Sequence, residues 1–489
     1  MSEEKKDRNH IYFKSTTSMC NKCEALVNTK VLFRGEKVIF RKFCPDCGIT
    51  ENMVSSDSKH YLNAYHFNKP GTIPHHVNSK REQGCPNDCG LCEEHEQHTC
   101  QPVIDISDRC NMNCPICITG GNQSSFSFTT EDFKKILDNL IRAEGKLPVI
   151  ILAGGEPTIH PQVFDFIKMA YDSGKVERVG LNTNGIKIAE DKEFAKKIKE
   201  SGAYLFFQFD GWDESTYVKL RGKNYLPQKL AAIEAIEREE IPAIINATVV
   251  KGINDHQIGK IVTFISSHKN FLGVTFQPAA YVGSGKSFEV DPMDVMTIPC
   301  VEKAIIEQSN DILKQGDFAN LPCSHPLCFS LAYLFKYTDE DGTIKAVPFS
   351  RFLEIKDILD LAQNKGIVSI SDKNIERTYE KMVYNLWSGD ANIPCSDKIC
   401  SNLKDLFSKI FPTDKKISEK EKINLGDFSA KTVFIHHYMD RYTFDLERVQ
   451  KCCNHYPKSD GRLMPMCVYN NFYRQFPEGK RTKKVVCKK

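Results

Sequence analysis

A chain of 489 residues, 41% hydrophobic and 26% charged with a formal net charge of +3, has the make-up of a folded globular protein and exceeds what one hydrophobic core usually serves, so two or three domains are expected. The near-balance of charge gives no strong pull toward nucleic acid, and the absence of any run of about 18 apolar residues argues against a membrane-spanning helix. The opening stretch, Met-Ser-Glu-Glu-Lys-Lys, has no apolar signal segment, so a cytoplasmic protein is expected, with peripheral membrane contact as its furthest reach. Twenty cysteines in such a chain read as metal ligands, because a reducing cytosol keeps thiols free, and most of them are grouped while Cys300 and Cys487 stand alone.

From the N-terminus, Cys20-Asn-Lys-Cys23 and Cys44-Pro-Asp-Cys47 form two knuckles around the strand-like segment Lys30–Phe40. Four thiolates make a closed tetrahedral site for one metal, zinc or a rubredoxin-type iron, in a small domain over residues 1–70. Residues 71–100 bring Cys85, Cys89, Cys92 and Cys100, enough to close an auxiliary [4Fe-4S] cluster; a zinc site using His95 or His98 is the alternative.

From 101 to 290, short β-branched runs alternate with amphipathic stretches, the pattern of βα units around a parallel sheet. Strands are predicted at Pro102–Ser107, Val149–Ala153, Arg178–Asn182, Tyr204–Phe209, Ile244–Val250 and Val274–Pro278, which makes an α/β fold with a partial (β/α)6 barrel. Between them Phe133, Ile136, Leu137, Leu140 and Ile141 recur at helical spacing, and Pro161 opens a helix with Phe164, Ile167 and Tyr171 on one face.

Ligands of such sheets sit beyond the C-terminal strand ends. The loop after the first strand carries Cys110-Asn-Met-Asn-Cys114-Pro-Ile-Cys117, three thiols that can hold three irons of a cubane and leave the fourth open to an amine and a carboxylate. A zinc knuckle would want a fourth ligand close by, where Gly120-Gly121 follows. The second strand ends Gly154-Gly155-Glu156-Pro157, and later strand ends offer Asn182, Asn184, Gln208, Asp210, Thr248 and Gln277, polar groups able to hold a ribose or carboxylate or to serve as plain turn formers.

The three-cysteine loop followed by Gly-Gly-Glu-Pro resembles the radical S-adenosylmethionine (SAM) superfamily. The resemblance implies that Cys110, Cys114 and Cys117 carry a catalytic [4Fe-4S] cluster whose open iron binds SAM. It also implies that Gly154, Gly155 and Glu156 face the SAM amino group and that reduction yields a 5′-deoxyadenosyl radical. Relatives commonly present a hydroxyl on the fourth strand, where this chain has Gln208.

Residues 291–489 hold Cys323, Cys328, Cys453 and Cys467, expected to bind a second auxiliary [4Fe-4S] cluster across long sequence distances, with Cys452 a bystander. His325, His437 and His455 read as structural, as do Cys395 and Cys400, and the run Asp414–Lys422 reads as solvated. Gly84–Cys92, the Cys110 motif, Pro322–Cys328 and Phe444 through Cys453 to Cys467, taken in order, resemble the archaeal tetraether lipid synthase group. That resemblance implies a rubredoxin-like iron beside three [4Fe-4S] clusters and coupling of two lipid tails at their terminal methyl carbons; the expected partners are the lipid and an electron donor such as ferredoxin or flavodoxin.

An unactivated methyl offers no acidic proton, so a cofactor-borne radical is needed, and its chain needs an apolar cavity, expected beside Cys323 and Cys328 with Leu331–Tyr337 and Val468–Tyr473 in its walls. A radical SAM peptide maturase is the alternative enzyme. The basic tail Lys480–Lys489 suggests a non-enzymatic metal- or nucleic-acid-binding protein, although no nucleic acid partner is expected.

Overall fold

The computed structural model describes residues 8–77, 79–121, 126–364, 375–388, 393 and 395–474; the tail from 475 onward lies outside the described residues. The chain opens with an antiparallel meander of β1 (Ile11–Met19), β2 (Leu26–Arg34), β3 (Lys37–Cys44) and β4 (Gly48–Ser55). The segment expected as one strand, Lys30–Phe40, is instead a hairpin, with Arg34 paired to Lys37 and Gly35 turning the chain at φ +59°, a conformation that favours glycine. Val31, Val38 and Phe40 pack beneath it on Tyr61 of the helix Ser58–Ala64, whose first turn is capped by Asp57.

Six parallel strands follow: β5 (Gln101–Ser107), β6 (Ile150–Gly154), β7 (Val179–Thr183), β8 (Tyr204–Gln208), β9 (Ala243–Val249) and β10 (Phe271–Pro278). They match the expected runs, the largest difference being β10, which starts three residues before the expected Val274. Helices cover their outer face. Thr130–Glu144 begins with a capping box between Thr129 and Asp132 and buries Phe133, Ile136, Leu137 and Leu140. The helix expected from Pro161 starts at Val163 and turns Val163, Phe166, Ile167 and Ala170 inward, with Phe164 and Tyr171 at its edge.

The sheet does not stop at six strands. The C-terminal region supplies β11 (Phe329–Thr338), β12 (Ile344–Pro348), β13 (Ala430–His436), β14 (Asn454–Pro457) and β15 (Leu463–Pro465). These extend both edges into one sheet ordered β12-β11-β13-β10-β9-β8-β7-β6-β5-β14-β15, with β13 parallel to β10 and β14 parallel to β5. Leu331–Tyr337 is therefore the body of β11, and the helices Ile355–Ala362, Ile375–Trp387 and Ser396–Ile410 pack over it. The lysine-rich run is exposed over Asp414–Lys416, and its second half starts the helix Glu419–Asp427 behind a Ser418 capping box. Among the described residues no helix is long and apolar enough to cross a membrane.

Side chains alternate across a strand, so each barrel strand has two fates. Ile104, Ile150, Leu152, Leu181, Leu205 and Ile245 point outward into the core under the helices. Val103, Ile151, Ala153 and Phe206 point inward, where the widened sheet leaves the barrel interior open.

Candidate active site

The cysteine loop leaves β5 at Ser107 and is clamped by backbone from two sides. Gly155 N donates to Ser107 O at 2.8 Å and Glu156 N to Arg109 O at 2.8 Å. A Cβ on Gly154 would lie 2.0 Å from Ser107 O, and one on Gly155 would lie 2.1 Å from Arg109 O. The close approach these glycines permit is to the cysteine loop, and both also line the cavity beside Cys110, Cys114 and Cys117. From the other side Ser284 N donates to Cys117 O at 2.9 Å, and Gly283 leaves no room for a side chain against the Cys117 and Ile118 carbonyls.

Glu156 is 1% exposed and fully engaged: it accepts from Thr158 N and Oγ1, from Thr183 Oγ1 at 2.6 Å and from Asn184 N at 2.7 Å. Asn184 in turn donates to Asn111 Oδ1 at 2.7 Å, so the carboxylate orders the strand end that holds the cysteine loop. Asn182 accepts from Asn246 at 3.0 Å. Asp210 is buried and receives both arms of Arg221 at 2.7 and 2.8 Å together with Thr248 N at 3.0 Å, while Arg221 also donates to Thr248 Oγ1. Gln208 bridges Asp210 and Lys229.

The sequence pattern missed two residues of this region: Arg221, which lines the cavity, and Lys229, which holds Asn184 O and Gln208 Oε1. They end and enter the helices Glu214–Arg221 and Leu226–Arg238, and a long cation on a buried helix face was the available signal. Burial and the neighbouring Arg221 charge push the Lys229 ammonium down to about 7. Burial pushes the Cys110 thiol up to about 12 and raises Cys114 too, against the pull of Arg221.

Cys110, Cys114 and Cys117 line one end of a cavity of about 420 Å³ that fills the barrel interior. Its polar lining at this end includes Glu156, Asn182, Gln208, Thr248 and Gln277. Farther in, Val103, Ile151, Phe206, Ile244 and Leu272 form the wall, which continues through Phe329, Tyr333 and Phe335 to Leu403 and Phe407 of the C-terminal helices.

The family model for the radical SAM superfamily matches residues 104–265, and one for the HMPTM N-terminal zinc ribbon domain matches residues 12–56. A 7,8-dihydro-6-hydroxymethylpterin dimethyltransferase of Methanocaldococcus jannaschii is 31% identical over 96% of this chain and 95% of its own length. The chain belongs to the radical SAM superfamily. An AdoMet-dependent heme synthase of Methanosarcina barkeri is 31% identical over 39% of this chain and 54% of its own. Among solved structures, Streptococcus suis SuiB bound to S-adenosylmethionine aligns at 17% identity over 42% of this chain and 46% of its own, with a TM-score of 0.35.

Superfamily members use a SAM-binding iron–sulfur cluster, and the donor chemistry here fits one: three thiols of a single loop share a cavity wall with the buried Glu156, several amides and Arg221. The N-terminal ribbon fits a different metal site. Cys20, Cys23, Cys44 and Cys47 bring their sulfurs within 4.8 Å of one another at the turns between β1 and β2 and between β3 and β4, and Cys20 and Cys44 are buried. Burial opposes ionisation of Cys20, but the backbone N–H groups of Cys23 and Lys22 together with the Cys23 and Cys44 thiols outweigh it and bring the thiol down to about 7.

The remaining thiols assort differently from their sequence order. Cys89 contacts Cys85 directly, and Cys92 lies close enough to be felt by it. Cys100, expected with that trio, instead contacts Cys323 and Cys453, and its N–H donates to Cys453 O at 2.9 Å. Cys452, expected as a bystander, lines a small cavity with Cys328 and Cys467 beside Arg448. Of the vicinal pair just before β14, Cys453 meets Cys100 and Cys452 faces Cys328 and Cys467. Leu321 and Phe329, flanking the Cys323–Cys328 loop, form part of the main cavity wall. His455 is held by Thr99 Oγ1 and His95, and Cys400 is buried in its helix while Cys395 is exposed.

Proposed function

We propose that this radical SAM enzyme takes hydrogen atoms from unactivated carbon and joins two lipid chains by a bond between their terminal methyl carbons. The observation that carries the reading is the apolar barrel interior, an open cavity that starts at the three cysteines and continues between Tyr333, Phe335, Leu403 and Phe407. A barrel built for a small polar substrate would not leave so much apolar wall in reach of its cysteines, since exposed methylene costs about 0.8 kcal/mol each.

In this reading Cys110, Cys114 and Cys117 hold the cluster, and SAM bound there supplies a 5′-deoxyadenosyl radical on one-electron reduction. Arg221, fixed by Asp210, offers its remaining charge toward a ligand carboxylate, and Asn182, Gln208, Thr248 and Gln277 offer hydrogen bonds to a ribose. Glu156 keeps the glycine turn and Asn184 in register, and the apolar wall excludes water from the reacting carbon. Two C–H bonds break and one C–C bond forms, so each product consumes two SAM and two electrons from a donor such as ferredoxin or flavodoxin and releases two methionine and two 5′-deoxyadenosine, which carry the two hydrogens. The thiols around Cys89, Cys100 and Cys328 supply the ligands of two auxiliary clusters, the ribbon holds one zinc or iron, and tail access calls for peripheral contact with a membrane.

A second reading, methylation of a pterin, draws support from the full-length likeness to the M. jannaschii enzyme and from the amides at the cysteine end of the cavity. Anaerobic incubation of reconstituted protein with SAM, dithionite and either a lipid extract or a reduced pterin, followed by mass spectrometry, separates the two. Two lipids joined with loss of two hydrogens are expected. A methylated pterin with lipids unchanged would replace the first reading by the second.

A further inference from the structure

The end of the cavity opposite the cysteines is not apolar. Arg178, 2% exposed, lines it just before β7 and directs Nε and Nη2 at the two oxygens of Asp427, at 2.7 and 2.9 Å. Tyr204, at the start of β8, donates its hydroxyl to the same carboxylate at 2.8 Å and also reaches Asn424. Glu177, which is tied to Lys146, and the Pro148 carbonyl take the weaker contacts of Arg178 Nη1 at 3.3 and 3.4 Å. Just outside, the Lys420 ammonium sits 4.8 Å from the ring centre of Tyr171.

A chain whose terminal methyl reacts beside the cysteines must keep its polar end at the far end of the cavity. Arg178 and Thr183, the latter hydrogen-bonded to Glu156, stand at opposite ends of β7, about 17 Å apart at the usual rise of a strand. A guanidinium fork accepts a phosphate as it accepts a carboxylate, through two parallel hydrogen bonds. Asp427 closes the helix Glu419–Asp427 and keeps some solvent exposure, so it can give up the fork and turn to water, whereas Arg178 has no such exit.

We infer that Arg178 is the anchor for an anionic, phosphate-bearing lipid head at the far end of the barrel cavity, with Asp427 holding its place in the free enzyme. The anchor fixes which carbon of the chain reaches the cysteine end, so the length from Arg178 to the cysteine loop sets substrate register. This inference rests on the lipid reading above.

The test uses the reconstituted holoenzyme and displacement of a fluorescent polyene alcohol by hexadecyl phosphate, hexadecanol or inorganic phosphate, on the native chain and on the Arg178→Met and Asp427→Asn variants. The native chain is expected to prefer hexadecyl phosphate to hexadecanol by about tenfold, as one charge-assisted bidentate contact allows. Asp427→Asn is expected to bind the phosphate tighter, because the competing carboxylate is gone, and Arg178→Met to lose the preference while keeping hexadecanol binding. If Arg178→Met fails to fold by thermal melting, the tightening in Asp427→Asn decides alone. Equal binding of the two alkyl ligands to the native chain, no tightening in Asp427→Asn, or inorganic phosphate displacing the probe as well as hexadecyl phosphate would each overturn the anchor. Failure of both alkyl ligands to displace the probe would remove the lipid reading and the anchor with it; equal binding of both removes the anchor alone.

Discussion

The N-terminal ribbon and the barrel loop hold cysteines at nearly the same spacing and make opposite kinds of site from them. In the ribbon, two hairpin turns face each other and bring four sulfurs within 4.8 Å, so the coordination shell is closed by the protein itself. In the barrel, one loop brings three thiols to the edge of a cavity of about 420 Å³, and whatever completes the shell must come from that side. Spacing selects a metal; surroundings decide whether that metal can react.

Breaking each site in turn should separate them. Cys114→Ala is expected to abolish 5′-deoxyadenosine release while the ribbon keeps its metal, and Cys44→Ala to lose the ribbon metal and unfold the meander while most SAM cleavage survives. Metal analysis together with a 5′-deoxyadenosine assay checks both, and equal loss of SAM cleavage in the two variants would show that the sites are not independent.

Gly154→Ala pushes a methyl into the Ser107 carbonyl, so we expect a loss of about 1–3 kcal/mol by thermal melting and a falling iron content in the barrel. A variant with native iron content would mean that the cysteine loop tolerates displacement. Glu156→Gln keeps the shape but turns a four-way acceptor into a partial donor facing Asn184 N and Thr183, at a cost of about 1–3 kcal/mol. Ile151→Trp fills the inward face of β6, and lipid binding should fall while SAM cleavage persists; unchanged lipid binding would move the substrate out of the barrel.

The smallest expected effect lies at the seam between the two regions, where His60 meets Glu302 at 3.0 Å. Burial lowers the His60 pKa but the Glu302 contact raises it more, so the folded value stands above the ordinary one. The contact therefore contributes fully below about pH 6.5 and fades as pH rises through the raised value, and the melting difference between the native chain and His60→Gln should be largest near pH 5.5 and shrink toward pH 9. At under about 1 kcal/mol, a difference that grows with pH would contradict this sign.

The six barrel strands were legible because a strand buried on both faces writes a dense β-branched run, and the cysteine loop because its thiols are close in sequence. β13 and β14 were not legible as parts of the same sheet. Ala430–His436 and Asn454–Pro457 are short, and nothing local says that one joins β10 and the other β5, more than 150 and 350 residues away in order along the chain. Arg221 and Lys229 were missed for a related reason: a cation on a helix reads as solvated until the fold buries it against Asp210, Asn184 and Gln208.

By itself the sequence determined the chemistry on offer: a four-thiolate ribbon, a three-thiol loop after a β strand, and a glycine turn one strand later, because ligand type and short spacing are local properties. Only the tertiary structure decided which thiols meet, since Cys452 lines a cavity with Cys328 and Cys467 while Cys100 finds Cys323 and Cys453 from far away. It also decided that the barrel is hollow, because the strands that widen the sheet come from the other end of the chain and pair through backbone hydrogen bonds, which leave no mark on residue identity.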